Sequence, residues 1–370
     1  MSVRFLTAVS GRAFNMRDRF GREIDYMRIS VIDSCNLNCY YCNPQDNNKN
    51  CQAINILSVK KVLCIVRAAT RLGIKHFRLT GGEPLLHPQL DEMVLQIKKI
   101  PGVSSVSLTT NAVLLAQHAK WLKEAGIDSI NVSLDTIDAS EYEHITKKPL
   151  LHKVEQGIDA AIECGIRVKI NVVLTPQTDV VALTRYVAKK GTDIRFIEMM
   201  PVGEGHTNGV EPYKKVIGTL SKLYGEPCRI NTEKTKEINS GNDKRKIPDN
   251  GPAEYYIFPE LGIRVGLIQA IHGKFCDTCN RIRVTADGRL MPCLGSSVTM
   301  DLVPDSWDFA DDVEKDFAIV RALRAAIKAK PRCHNFNDNA VTYTKTTEKK
   351  TTEIEAAEVN AARNMSRIGG

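Results

Sequence analysis

The 370-residue chain is 43% apolar and 25% charged with near-average Gly and Pro, which excludes collagen-like or wholly disordered protein and leaves room for a large core plus a smaller appended unit. The formal charge of +8 suits an anionic partner, yet Lys and Arg are spread along the chain without like-charge blocks or interleaved aromatics, so nucleic acid is not the expected one. No run of about 18 apolar residues occurs, so no membrane-spanning helix is expected.

Residues 1–17 carry Arg4, Arg12 and Arg17 with no acid before Asp18, and read as a short disordered extension rather than a transit peptide. From Tyr26 onward, β-branched runs alternate with amphipathic stretches. The expected strands are 26–32, 76–80, 106–110, 129–133, 167–174 and 193–198. The expected helices are 59–72, 90–100, 114–125, 153–164 and 180–190. A helix after each strand implies parallel pairing through right-handed crossovers. The fold class is therefore α/β. Six units are two short of a closed (β/α)8 barrel, so an incomplete, TIM-like (β/α)6 barrel over residues 18–225 is expected. The rhythm then breaks, and polar residues 231–249 mark a boundary. Residues 226–336 form a second, C-terminal domain, and 337–370 a linker ending in Gly369-Gly370.

Eleven cysteines without a signal peptide, six of them in two groups, point to metal in a reducing, cytoplasmic setting rather than to disulfides. Cys35, Cys39 and Cys42 give C-x3-C-x2-C just after the first strand. Three thiolates on one short loop can grip three irons of a cubane and leave the fourth iron open. Zinc would want a fourth ligand at fingerlike spacing, and only Cys51 is near. Thr80-Gly-Gly-Glu-Pro84, with Gly81, Gly82 and Glu83, ends the second strand, where the backbone can approach a ligand and a carboxylate can meet an ammonium. Thr109-Thr-Asn111, Ser133-Leu-Asp135, Lys169-Ile-Asn171 and Glu198-Met-Met-Pro201 lie at or near the ends of later strands, the rim where barrel sites are built.

Cys276, Cys279 and Cys293 form C-x2-C-x13-C, with Arg281 and Arg283 placed to meet a polyphosphate or a purine edge. By spacing alone this group also reads as a degraded zinc ribbon that His334 or Cys333 would complete. Cys64, Cys164 and Cys228 are explained by packing.

At C-x3-C-x-Tyr41-Cys42 and GGEP the sequence resembles the radical S-adenosylmethionine superfamily. With TTN, SLD, the second cysteine group with Arg-x-Arg, and the Gly-Gly end, it resembles the GTP 3′,8-cyclase family (molybdenum cofactor biosynthesis protein A) over about 18–256, 275–336 and 364–370. The resemblance implies two [4Fe-4S] clusters, on Cys35, Cys39 and Cys42 and on Cys276, Cys279 and Cys293, together with S-adenosyl-L-methionine. It implies cleavage of that cofactor to a 5′-deoxyadenosyl radical, hydrogen abstraction from the ribose C3′ of GTP and closure onto C8. The product is (8S)-3′,8-cyclo-7,8-dihydroguanosine 5′-triphosphate, in the first step of molybdenum cofactor biosynthesis. Tyr41, Gly81, Gly82, Glu83, Ser133 and Met200 are implied to meet S-adenosylmethionine. Arg28, Arg78, Thr109, Lys169, Arg281 and Arg283 are implied to hold GTP. Arg28 is implied to be catalytic, placed by Gly369 and Gly370.

The implied partners are GTP, a reductant for the clusters and, downstream, cyclic pyranopterin monophosphate synthase, with no membrane or nucleic acid; a homodimer is compatible. Asn38, His76 and Ala112 depart from the family's usual Arg, Lys and Gly. The rivals are another two-cluster radical enzyme, such as a peptide maturase, and a non-catalytic metal or nucleic-acid-binding protein.

Overall fold

In the computed structural model, which describes residues 16–42, 54–202, 209–230, 251–296, 298–302, 312–334 and 336, the strand-forming runs assemble into one twelve-stranded sheet. The expected units appear in order. These are β1 (Tyr26–Ser30), α1 (Val59–Arg71), β2 (His76–Thr80), α2 (Leu90–Lys98), β3 (Ser105–Thr110), α3 (Leu115–Glu124) and β4 (Ser129–Ser133). There follow α4 (Ala139–Thr146), α5 (Leu151–Glu163), β5 (Val168–Val173), α6 (Val180–Lys189) and β6 (Asp193–Ile197). β1 to β6 lie side by side and parallel, as the alternation demands. α4 is an addition to the expected pattern, a short helix started by Asp138, whose side chain accepts from Glu141 N.

The helices cover one face of the sheet for a plain reason. α1 begins at Ser58, whose hydroxyl accepts from Lys61 N, and it buries Val62, Ile65, Val66 and Ala69, an i, i+3, i+4, i+7 stripe. Met27 and Ile29 of β1 and Phe77 and Leu79 of β2 point to that side and are wholly buried. The alternate positions, Tyr26, Arg28 and Ser30 in β1 and His76, Arg78 and Thr80 in β2, are polar and point the other way. A closed barrel fills its interior with branched apolar side chains; this one presents polar groups there, which suits a ligand rather than a core.

After α7 (Gly218–Tyr224) the chain adds strands to both flanks of the same sheet. β7 (Cys228–Ile230), β8 (Glu254–Ile257) and β9 (Arg264–Ile268) form an antiparallel run whose β9 pairs parallel with β6. β10 (Arg281–Val284) pairs parallel with β1 and leads antiparallel into β11 (Arg289–Met291) and β12 (Met300–Asp301). The eight central parallel strands thus run β10-β1-β2-β3-β4-β5-β6-β9, and among the described residues no pairing joins the two ends of the sheet. The break near residue 225 is a break in rhythm, while the sheet itself continues across it. α8 (Asp312–Ala329) closes over α1, burying Ile319, Leu323, Ala326 and Ile327, and Asp316 pairs with Arg71.

Ala112 takes φ 63°, the left-handed region that glycine occupies without cost, which accounts physically for the family's Gly at this position. His76 bonds Ser105 Oγ at 2.8 Å through Nδ1. Asn38 fixes the first cysteine loop through its backbone, donating N–H to Thr146 O at 3.0 Å.

Candidate active site

The loop that leaves β1 carries Cys35, Cys39 and Cys42 and is held by backbone hydrogen bonds as well as by Leu37, which is buried in the core. Gly82 N donates to Ile32 O at 2.7 Å and Glu83 N to Ser34 O at 2.8 Å, so the GGEP segment runs flush against the residues before Cys35. A Cβ on Gly82 would lie 2.1 Å from the Ser34 carbonyl oxygen, which is why a glycine is required there.

Glu83 is buried and its carboxylate is largely spoken for. Oε1 accepts from Thr110 Oγ1 at 2.7 Å and Leu85 N at 3.0 Å, and Oε2 accepts from Asn111 N at 2.7 Å. An ionised carboxylate has about four acceptor directions, so about one remains for an ammonium. The expected ligand-binding role is thereby joined by a structural one, tying the second strand end to the third. Asn111 completes the tie, with Nδ2 2.7 Å from Asn36 Oδ1 and 3.7 Å from Cys35 Sγ. Tyr41 is placed by Asp135, whose Oδ2 accepts from the phenol at 2.5 Å while Oδ1 accepts from Val173 N at 2.7 Å. The first cysteine loop, GGEP, TTN and SLD are thus one hydrogen-bonded rim.

Burial pushes Glu83 up to about 7 and Asp135 up to about 6, even though donors to their carboxylates pull the other way. Folded chains therefore hold protons that unfolded chains, titrating near the ordinary carboxylate value, have released. The contribution of these two groups to stability is greatest in acid and is lost as pH rises through about 6 for Asp135 and about 7 for Glu83. Urea titrations of the cluster-free chain should give a lower midpoint at about pH 8 than at about pH 6, and Glu83→Gln should shrink that difference. An unchanged difference in the variant would assign the effect elsewhere.

Burial also raises the thiols of the first group, Cys35 to about 11 and Cys39 further. The protein alone does not ionise them, so the positive charge that makes them ligands must come with the metal. One zinc ion would need its sulfurs about 3.8 Å apart, from Zn–S bonds of about 2.3 Å. Among the described residues the only set of three candidate ligand atoms within 4.8 Å of one another lies at the other group, Cys276 with Cys333 and His334. Cys35, Cys39 and Cys42 do not form such a set.

In the second group Cys276 and Cys279 sit where β9 leads into β10 and Cys293 follows β11, and two buried cations organise it. Lys330, just past α8, donates Nζ to Arg281 O at 2.8 Å and to Pro292 O at 2.9 Å. Burial would raise the Cys279 thiol, but Lys330 and Arg281 outweigh it and lower it; Cys293 stays raised by burial. Arg22 joins the ends of the described chain. It pairs with Asp18 at 2.6 Å and donates to Cys276 O at 2.6 Å, Pro331 O at 2.6 Å and Arg332 O at 2.9 Å. Its removal strands the buried Asp18 charge, so Arg22→Ala should cost about 3–5 kcal/mol. A chemical denaturation series checks the magnitude, and loss of iron from the second group should accompany it.

Both cysteine groups open onto one cavity of about 340 Å³. Every residue expected in the site lines it, except Lys169 and the Gly369-Gly370 end, which lies outside the described residues. Lys169 is buried in β5 with Nζ 6.0 Å from the Tyr255 ring. Arg283, Arg28 and Arg78 are direct cross-strand neighbours on β10, β1 and β2. Like charges placed opposite one another are unfavourable, and the effect is visible at Arg28, whose pKa is driven well below the usual guanidinium range by burial and then by Arg283. Arg78 is steadied by Tyr26 OH and by Thr109 Oγ1 at 3.4 Å, and Arg281 lies over the Phe275 ring at 5.3 Å. Sequence reading missed Arg22 and Lys330, which carry no local signal. It also missed Arg195, which lines the cavity and donates to Asn171 Oδ1 at 2.9 Å; charges at Asp193 and Arg195, alternating with Ile194 and Phe196, were the available hint.

Residues 29–182 match the Radical SAM superfamily and residues 192–336 match Molybdenum Cofactor Synthesis C. A GTP 3′,8-cyclase of Clostridium perfringens is 35% identical over 324 residues, covering 87% of this chain and 95% of its own. One from Listeria monocytogenes is 36% identical over 323 residues, covering 86% and 92%. Among solved structures, SuiB of Streptococcus suis superposes with a TM-score of 0.55 at 15% identity, over 82% of this chain and 68% of that one, a likeness of fold alone. Two cysteine groups on one cavity and kinship along most of the length lead to the same conclusion: the chain belongs to the GTP 3′,8-cyclase family of radical S-adenosylmethionine enzymes.

Proposed function

We propose that this chain converts GTP to (8S)-3′,8-cyclo-7,8-dihydroguanosine 5′-triphosphate, opening molybdenum cofactor biosynthesis. The observation that carries this reading is the row Arg283, Arg28 and Arg78, with Arg281 beside it, on the same cavity as both cysteine groups. GTP brings about three to four negative charges, and in a site poor in water each guanidinium counts for more than in bulk solvent. Cys35, Cys39 and Cys42 would hold one [4Fe-4S] cluster and Cys276, Cys279 and Cys293 the other, and S-adenosylmethionine bound at the first supplies the radical that opens the ribose C3′–H bond.

The chain's own part is binding and orientation. Tyr41, fixed by Asp135, with Gly82, Ser133 and Met200, would cradle S-adenosylmethionine at the first group. Gly81 and Gly82 let the backbone come close, and Glu83 holds that backbone in place. Thr109 and the arginines would hold the nucleotide between the groups, so that the ribose faces one and the base the other. Arg28, central in the arginine row, would stabilise charge that develops on the base as the ring closes. Lys169 and the Gly369-Gly370 end belong to the same substrate set by family resemblance.

A reductant must feed electrons to the clusters, and cyclic pyranopterin monophosphate synthase would take the product. Among the described residues no helix is long and apolar enough to cross a membrane.

Reconstituted protein incubated without oxygen with dithionite, S-adenosylmethionine and GTP should yield 5′-deoxyadenosine together with a cyclised guanosine triphosphate. 5′-Deoxyadenosine without any cyclised guanosine would overturn the choice of substrate.

A further inference from the structure

We propose that Cys276, Cys333 and His334 form a mononuclear zinc site in the cluster-free chain, in competition with the second iron–sulfur cluster. The two sulfurs and one ring nitrogen of His334 lie within 4.8 Å of one another. Small side-chain adjustments bring them to the distances set by Zn–S bonds of about 2.3 Å and Zn–N bonds of about 2.0 Å.

The state of His334 supports the assignment. Its Nε2 lies 2.7 Å from the Ala270 carbonyl oxygen and must carry the proton, which puts the lone pair on Nδ1. Nδ1 is buried and has no hydrogen-bond partner. A histidine whose outer nitrogen donates to a carbonyl while the inner one is left bare has the arrangement found in metal-binding histidines. The ring is held in that pose against Phe336, with centroids 4.2 Å apart. Cys333 is exposed and its sulfur lies within 4.8 Å of that of buried Cys276, so the site has an entry side. Two thiolates and an imidazole favour zinc over ferrous iron.

Cys276 belongs to both arrangements. It cannot be the terminal ligand of a zinc ion with Cys333 and His334 and, at the same time, of a cluster with Cys279 and Cys293. A zinc-loaded chain therefore has its second cluster site closed until the zinc is removed. The proposal concerns the chain before cluster assembly and does not depend on which nucleotide the finished enzyme converts.

The test uses the full chain with Cys35, Cys39 and Cys42 replaced by alanine, prepared without clusters and titrated with cobalt as a coloured probe, then with zinc. One cobalt should bind with thiolate charge-transfer absorption and tetrahedral ligand-field bands, and zinc should displace it. Losing even an outer-shell partner weakens metal sites by about 10- to 100-fold, so Cys333→Ser and His334→Ala should each weaken binding at least about tenfold. Cys279→Ala should leave it nearly unchanged. In the otherwise unaltered chain, zinc loaded before reconstitution should lower the iron incorporated by about four per chain, and Cys333→Ser should restore it. The proposal is overturned if cobalt fails to bind, or if Cys279→Ala abolishes binding while Cys333→Ser and His334→Ala do not. Cys333→Ser alters an exposed thiol, so a folding defect does not confuse that result.

Discussion

Arg28→Ala is expected to keep both clusters yet lose the cyclised product, with turnover down at least about 10²-fold, the loss typical when one donor to developing charge is removed. The reason lies in its surroundings. Arg28 sits between Arg78 and Arg283 in the sheet, and burial with these like charges makes its ionised form costly in the empty site. A polyanion reverses the sign of that cost. The same substitution should therefore raise the melting temperature of the substrate-free protein while abolishing turnover, a pairing that a merely structural arginine would not produce. Iron content and cluster spectra should match the unaltered chain. Arg28→Lys should not rescue activity fully, because a lysine lacks the planar fork that binds phosphate and carbonyl oxygens in pairs. Normal cyclisation by Arg28→Ala would remove this residue from the chemistry.

The arginine row also shows what the sequence could and could not tell. Arg28, Arg281 and Arg283 stand next to recognisable motifs, and Arg78 lies two residues before Thr80-Gly-Gly-Glu-Pro84, so each is readable singly. That Arg28 and Arg283, 255 positions apart, face one another depends on β10 adding beside β1, and nothing in the local pattern announces that pairing. The parallel units were legible because helix and strand periods differ sharply. Val59–Arg71 buries one stripe through Val62, Ile65, Val66 and Ala69, whereas residues 76–79 alternate. The flanking strands were not, because runs as short as Arg289–Met291 and Met300–Asp301 hold too few residues for a period to emerge. Arg22 and Lys330 escaped for a related reason: their partners are backbone carbonyls, which leave no mark in a sequence.

Gly82→Ala should separate the two halves of the site. The added carbon would fall 2.1 Å from Ser34 O, 2.4 Å from Ser34 C and 2.6 Å from Asp33 O, all of them backbone, so no side chain can swing aside to make room. Either the GGEP segment or the loop bearing Cys35 must move, and the bonds from Gly82 N to Ile32 O and from Glu83 N to Ser34 O are lost with it. Overpacking of this kind costs about 1–3 kcal/mol, which a domain with a core this large tolerates. The damage is local and falls on the first cysteine group. Iron should drop from about eight to about four per chain, S-adenosylmethionine cleavage should cease, and GTP should still bind, because Arg28, Arg281, Arg283 and the second cysteine group are held by β1, β10, Arg22 and Lys330 instead. A variant that retained its full iron, or lost all of it together with GTP binding, would show that the two groups are not positioned by independent parts of the fold.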